Sequence, residues 1–138
     1  NASVTNCYNT GSVTADSVRG SSTSEACAGG IVGRVNGGSI ENCYNTGRSA
    51  AEIYVYAEPY HVAYEGGIVG SNYGDVGSYN YATIKNCFYL NNMLKGVGNG
   101  TDTTTGCTEK QLENQSLKQK HMSQTTKLNF NQKLFLYT

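Results

Sequence analysis

The groups in this chain that could do chemistry are five cysteines, two histidines and ten acidic side chains. An odd cysteine count leaves at least one thiol unpaired within the chain. Cys7–Cys27 and Cys87–Cys107 are each separated by 20 positions, which makes them the first candidates for disulfides in an oxidising exterior. The competing reading is that Cys7, Cys43 and Cys87 are small buried apolar residues. No Cys-x-x-Cys occurs, and His61 and His121 stand far from the cysteines in sequence, so no metal site is expected. Asp16, Asp75 and Asp102 are scattered, unlike the clustered oxygens a calcium site needs. There is no Gly-x-Ser-x-Gly elbow, and no Lys-Ser/Thr follows Gly96-Val97-Gly98-Asn99-Gly100 as a phosphate loop would require. No catalytic residue and no cofactor is assigned. What remains is binding chemistry. Tyr54, Tyr56 and Tyr60 cluster with Glu58, flanked by Glu52, Glu65 and Tyr64, and eight of the eleven tyrosines fall within 54–89. Exposed tyrosines give contact area at low entropic cost, which suits a sugar- or protein-facing platform. The alternation Ile53-Tyr54-Val55-Tyr56 also fits an ordinary half-buried strand. His61, beside Pro59, reads as a solvated loop residue.

The elements that must position these groups repeat. Val4-Thr5-Asn6-Cys7-Tyr8-Asn9-Thr10-Gly11 recurs as Ile40-Glu41-Asn42-Cys43-Tyr44-Asn45-Thr46-Gly47, and in degraded form as Ile84-Lys85-Asn86-Cys87-Phe88-Tyr89-Leu90. Gly29-Gly30-Ile31-Val32-Gly33 recurs as Gly66-Gly67-Ile68-Val69-Gly70, interleaved with the first pattern. The cysteines are 36 and then 44 residues apart. Asn-Thr-Gly is turn chemistry, since Asn and Gly tolerate left-handed backbone. A short apolar run bracketed by glycines is over-glycined for a helix and fits a buried strand between corners. One such repeat cannot bury its apolar face alone, but a stack can. The expected fold is therefore all-β: a parallel β-helix, or β-solenoid, of stacked repeats. Cys7, Cys43 and Cys87 would form one inward ladder and Ile31 and Ile68 another, at the strand spacing of about 5 Å. Asn6, Asn42 and Asn86 would form an amide ladder. Whether one repeat makes one coil or two is open. The eight extra residues of the longer repeat are expected in a loop within 48–65.

Composition divides the chain. All 17 glycines lie at or before Gly106, and all the leucines lie at or after Leu90. Residues 1–107 hold five basic and eight acidic groups, a balance of −3, whereas 108–138 hold five lysines and two glutamates, a balance of +3. We expect a β-solenoid over 1–106 and a capping segment over 107–138. The cap would be a short α+β piece, because Thr108-Glu109-Lys110-Gln111 fits a helix capping box and 128–137 could form a terminal strand. A linker or partner-binding tail is the alternative. Charged residues are only 14% of the chain and the net charge is zero, which argues against a nucleic-acid partner. No run of about 18 apolar residues offers a membrane span. The chain opens directly inside a repeat and reads as a piece of something longer.

These repeats resemble the GLUG-motif repeats of bacterial surface and secreted proteins, including adhesin-like proteins and the regions flanking IgA-cleaving metallopeptidases. The resemblance rests on Gly29–Gly33, Ile40–Gly47, Gly66–Gly70 and Ile84–Leu90, with Val4–Val13 as a leading copy, and covers roughly residues 1–90. It implies an extracellular or cell-surface, non-catalytic repeat region. Peptidase chemistry is not carried over, since no His-Glu-x-x-His is present. The expected function is a structural or adhesion module: a spacer, display surface or stalk. Alternatives are end-to-end self-assembly into fibres or oligomers, and glycan binding or glycan-directed activity. Expected partners are a host or matrix protein, a glycan, or a second copy.

Overall fold

The computed structural model describes residues 2–18, 24–54, 61–73, 80–90, 95–107 and 111. Their elements are strands: β1 (Ala2–Thr5), β2 (Tyr8–Asn9), β3 (Val13–Val18), β4 (Ser24–Gly29), β5 (Val32–Val35), β6 (Gly38–Glu41), β7 (Tyr44–Asn45), β8 (Ser49–Tyr54), β9 (His61–Gly66), β10 (Val69–Asn72), β11 (Thr83–Lys85), β12 (Phe88–Leu90), β13 (Val97–Asn99) and β14 (Thr105–Cys107). Five sheets result, ordered β1-β6-β11, β2-β7-β12-β14, β3-β8, β4-β9 and β5-β10-β13. Each strand pairing is parallel. The chain is thus all-β with parallel sheets, consistent with a β-helix.

Register settles how the repeat maps onto space. Val4, Ile40 and Ile84 are direct partners, so one repeat carries the chain once around all the sheets. We call that circuit a coil. The corner after the first strand of each coil is turned by an asparagine in the left-handed region: Asn6 (φ 56°), Asn42 (φ 55°) and Asn86 (φ 49°). Asparagine tolerates this backbone where β-branched residues do not. The core is one cluster built from the repeat positions: Ile40, Cys43, Ile68, Val69, Ile84, Cys87, Tyr89 and Val97, with Val4, Ile31, Val32 and Val35 packed against it.

The coils differ in two places. Four positions separate Val35 from Ser39, whereas eleven separate their register partners Asn72 and Thr83. Ser24 pairs with His61 and Val18 with Tyr54, which adds one residue between β8 and β9. The eight extra residues therefore fall mostly in 73–82, not within 48–65 as expected. The third coil is also cut short. Twenty-four positions separate Asn45 from Val69, but only eight separate their partners Tyr89 and Val97. The excursion made by β3–β4 and again by β8–β9 has no counterpart among the described residues of the third coil.

The register also exposes a third copy of the glycine pattern. Val97 is the partner of Val69, which is the partner of Val32, so Gly96-Val97-Gly98 is the degraded form of Ile-Val-Gly. The expected α+β cap over 107–138 lies outside the described residues, apart from Cys107, which belongs to β14, and Gln111.

Candidate functional site

The predicted ladder residues occupy equivalent corners. Cys43 and Cys87 are buried, and each thiol donates to the carbonyl two residues back, Glu41 at 3.2 Å and Lys85 at 3.2 Å. Cys7 takes the same pose toward the Thr5 carbonyl at 3.4 Å. It is exposed, because no described strand lies beyond the first coil to cover it. All five cysteines are free thiols, so neither Cys7–Cys27 nor Cys87–Cys107 is bonded. The reason is positional. Cys7 sits in the corner before β2, whereas Cys27 lies within β4 as the partner of Tyr64. Cys107 is in register with Leu90, three residues past Cys87. Ile68 is fully buried and its carbonyl accepts from Ile31 N–H at 3.0 Å, while Ile31, on the end coil, is half-buried. The expected amide ladder forms in part: Asn86 Nδ2 donates to Asn42 Oδ1 at 3.2 Å. Among the described residues no bond extends it to Asn6.

The stronger amide ladder belongs to the other asparagine of the motif. Asn9 Nδ2 donates to Asn45 Oδ1 at 3.0 Å and to the Gly11 carbonyl at 2.7 Å. Asn45 is completely buried, donates to the carbonyls of Gly47 and Gly67, both at 2.8 Å, and accepts from Gly47 N–H at 2.9 Å. Its amide occupies the space a Cβ on Gly30 would fill. One asparagine thus locks the two sequence patterns together across neighbouring coils. In the next coil Tyr89 takes its place, and a Cβ on Gly67 would lie 2.6 Å from the Tyr89 ring. The glycines of the second pattern are required by the side chains of the first.

Asp102, Glu25 and Cys27 are each tied up locally. Asp102 Oδ2 accepts from the N–H groups of Gly96 (2.9 Å) and Val97 (3.2 Å), and Oδ1 accepts from Thr104 N–H (2.9 Å) and from the Thr104 hydroxyl. Desolvation pushes the pKa of its carboxyl up, but these donors outweigh it and hold the group below the usual carboxylate range. Burial, with the Glu25 carboxylate beside it, pushes the Cys27 thiol up to about 12, and burial raises Cys43 to about 11. Burial also raises Cys87 and Cys107. Glu25 accepts from the Cys27 thiol at 3.1 Å and pairs with Arg34 at 2.9 Å. His61 is the first residue of β9, a strand and not the expected loop. It is half-buried, and its buried Nδ1 has no partner among the described residues.

Of the predicted platform, only Tyr54 is described; Tyr56, Glu58 and Tyr60 lie outside the described residues. Tyr54 ends β8, is exposed, and its hydroxyl donates to Glu52 Oε2, which raises the phenol's pKa. A second aromatic pair escaped the sequence reading. Tyr73 and Tyr81 flank the inserted segment, both exposed, with ring centroids 6.3 Å apart and planes at 82°. Asn72 clamps the base beneath them: Nδ2 donates to the Ala82 carbonyl at 3.1 Å and Oδ1 accepts from Ala82 N–H at 2.9 Å. On another face Tyr8 stacks on Tyr44 at 5.4 Å, leaving Tyr8 largely open.

Comparison with known families falls on the interlocked region. Residues 24–50 match the family model of the GLUG motif. They carry a GLUG motif. The matched stretch holds Gly30 and Asn45, so the GLUG unit contains both halves of the contact that joins successive coils. No curated protein and no solved structure matches the chain.

Proposed function

We propose that this chain is a non-catalytic β-solenoid module of a bacterial surface or secreted protein, acting as a spacer or stalk that holds its surface segments away from a support. The observation that carries the reading is the interlock at Asn45, which accepts from Asn9 and packs its amide against Gly30 of the preceding coil while donating to Gly67 within its own coil, in addition to strand pairing. Such a stack resists extension because each coil is held by its neighbours. The thiol environments support the non-catalytic reading, since thiols raised to about 11 and about 12 are protonated near neutral pH and poor nucleophiles. No helix among the described residues is long and apolar enough to cross a membrane. Pulling a single molecule from both ends is the test. Extension in discrete force steps is expected, about 120 Å for the 36-residue first coil and about 150 Å for the 44-residue second. Smooth yielding at low force would refute a load-bearing role.

The Tyr73–Tyr81 pair favours a second reading, carbohydrate binding by the same module. Two exposed phenol rings on a clamped base offer stacking faces without the ordering cost of a longer side chain. A glycan array probed with the native chain and with Tyr73→Ala/Tyr81→Ala tests it. Loss of a signal in the double variant is expected, and equal binding by both proteins counts against this surface.

A further inference from the structure

The coils leave a ledge. β3 and β8 form a two-stranded sheet, as do β4 and β9, while the other sheets have three or four strands. Among its described residues the third coil supplies no strand over β8 and β9, and eight positions replace the twenty-four that build the excursion. Among the described residues, the outer edges of Ser49–Tyr54 and His61–Gly66 are therefore unpaired. Open edges of this kind accept a further strand. One protective contact is present: Glu65 Oε2 accepts from Ala51 N–H at 3.4 Å.

We infer that the chain's own residues 108–138 cover this ledge. Three observations converge. The first is where the described chain ends. Gly106 is in register with Tyr89, and Tyr89 with Asn45, so the chain leaves β14 at the point in the circuit from which β7 leads, four positions on, into β8. That exit lies one strand level beyond the missing one, because β12 and not β14 belongs to the third coil. The second is length. The excursion from Ser49 to Gly66 takes 18 residues, and 31 follow Cys107. The third is charge. The four strands of the excursion carry Asp16, Glu25, Glu52 and Glu65 and no lysine or arginine, and among the described residues the one ion pair to these carboxylates is Glu25 with Arg34. Residues 108–138 carry five lysines against two glutamates. They also hold Leu128, Phe130, Leu134 and Phe135, apolar surface to lay against half-buried Ala51 and Ile53 and exposed Val62.

Amide hydrogen exchange of the 138-residue chain tests this, alongside a chain stopped at Cys107 and a full-length Lys118→Glu/Lys120→Glu/Lys127→Glu variant. Exchange in 49–54 and 61–66 is expected to be about tenfold or more slower in the native chain than in either variant, with β5 and β10 unchanged. A synthetic 108–138 peptide added to the shortened chain is expected to restore the protection. The charge-reversed variant keeps the question open to refutation if the shortened chain does not fold. Equal rates in the native and charge-reversed chains would overturn the inference. So would protection that rises with protein concentration, which would make the cover a second copy.

Discussion

Asp102 shows what a single carboxylate contributes here. Its two oxygens join the start of β13 to the residues just before β14 through four donors. Because its folded pKa lies below the unfolded value, near 3.8, its contribution is fully present above that value and is lost as the pH falls through the folded pKa. Asp102→Asn is expected to flatten the pH dependence of the unfolding free energy below about pH 4 and to leave it unchanged near neutrality; denaturant titrations across that range measure it. This role was not legible in sequence. Nothing in Asp102-Thr103-Thr104 announces a partner six residues back, since that geometry exists only once Gly96 has been placed by the stack. Asn9 and Asn45 were half-legible. Asn-Thr-Gly signals a turn, but sequence does not say which motif asparagine faces inward. The corner position, with its positive φ, falls to the first asparagine and leaves the second to the core.

At the scale of elements, the two patterns are one device. The strand carrying Asn45 needs a glycine in the corner below and a carbonyl from the corner above. Gly30→Ala pushes a methyl into that amide, and Asn45→Ala leaves buried Gly47 and Gly67 carbonyls without their donor. Each is expected to cost about 2–4 kcal/mol, read as a shift in urea midpoint at constant slope. The double variant should cost less than the sum, because both remove the same contact. Strand existence and order were readable because two interleaved patterns agree on one period. The third glycine copy was not, since Gly96-Val97-Gly98 keeps too little of the pattern to be found without register. The insertion was misplaced for a related reason. The tyrosine-rich 54–64 stretch looks irregular, yet Tyr54 and His61 both keep strand partners one coil away, while none of the described residues within 73–82 lies in a strand.

For the whole molecule, stability follows a residue's place in the stack. Ile40 has partners on both sides, Val4 and Ile84, and is fully buried, whereas Val4 has a partner on one side and is half-buried. In a nearest-neighbour stack a central deletion breaks two interfaces and an end deletion one. Ile40→Ala is expected to cost about 3–4 kcal/mol and Val4→Ala about 1 kcal/mol, measured by equilibrium unfolding. The family of parallel ladders was legible from composition and repeats. The narrowing of the third coil was not, because it depends on residues that are missing from a pattern.

The Asn72 clamp gives the 73–82 corner a practical value. The ladders on either side keep their register although seven residues have been added between them, and Asn72 closes the gap with two bonds to Ala82. Doubling such a loop costs only about 0.6 kcal/mol in closure entropy. The corner is in effect a socket. A foreign peptide epitope grafted between Tyr73 and Tyr81 would be held at both ends by the scaffold, its length a free choice for the designer.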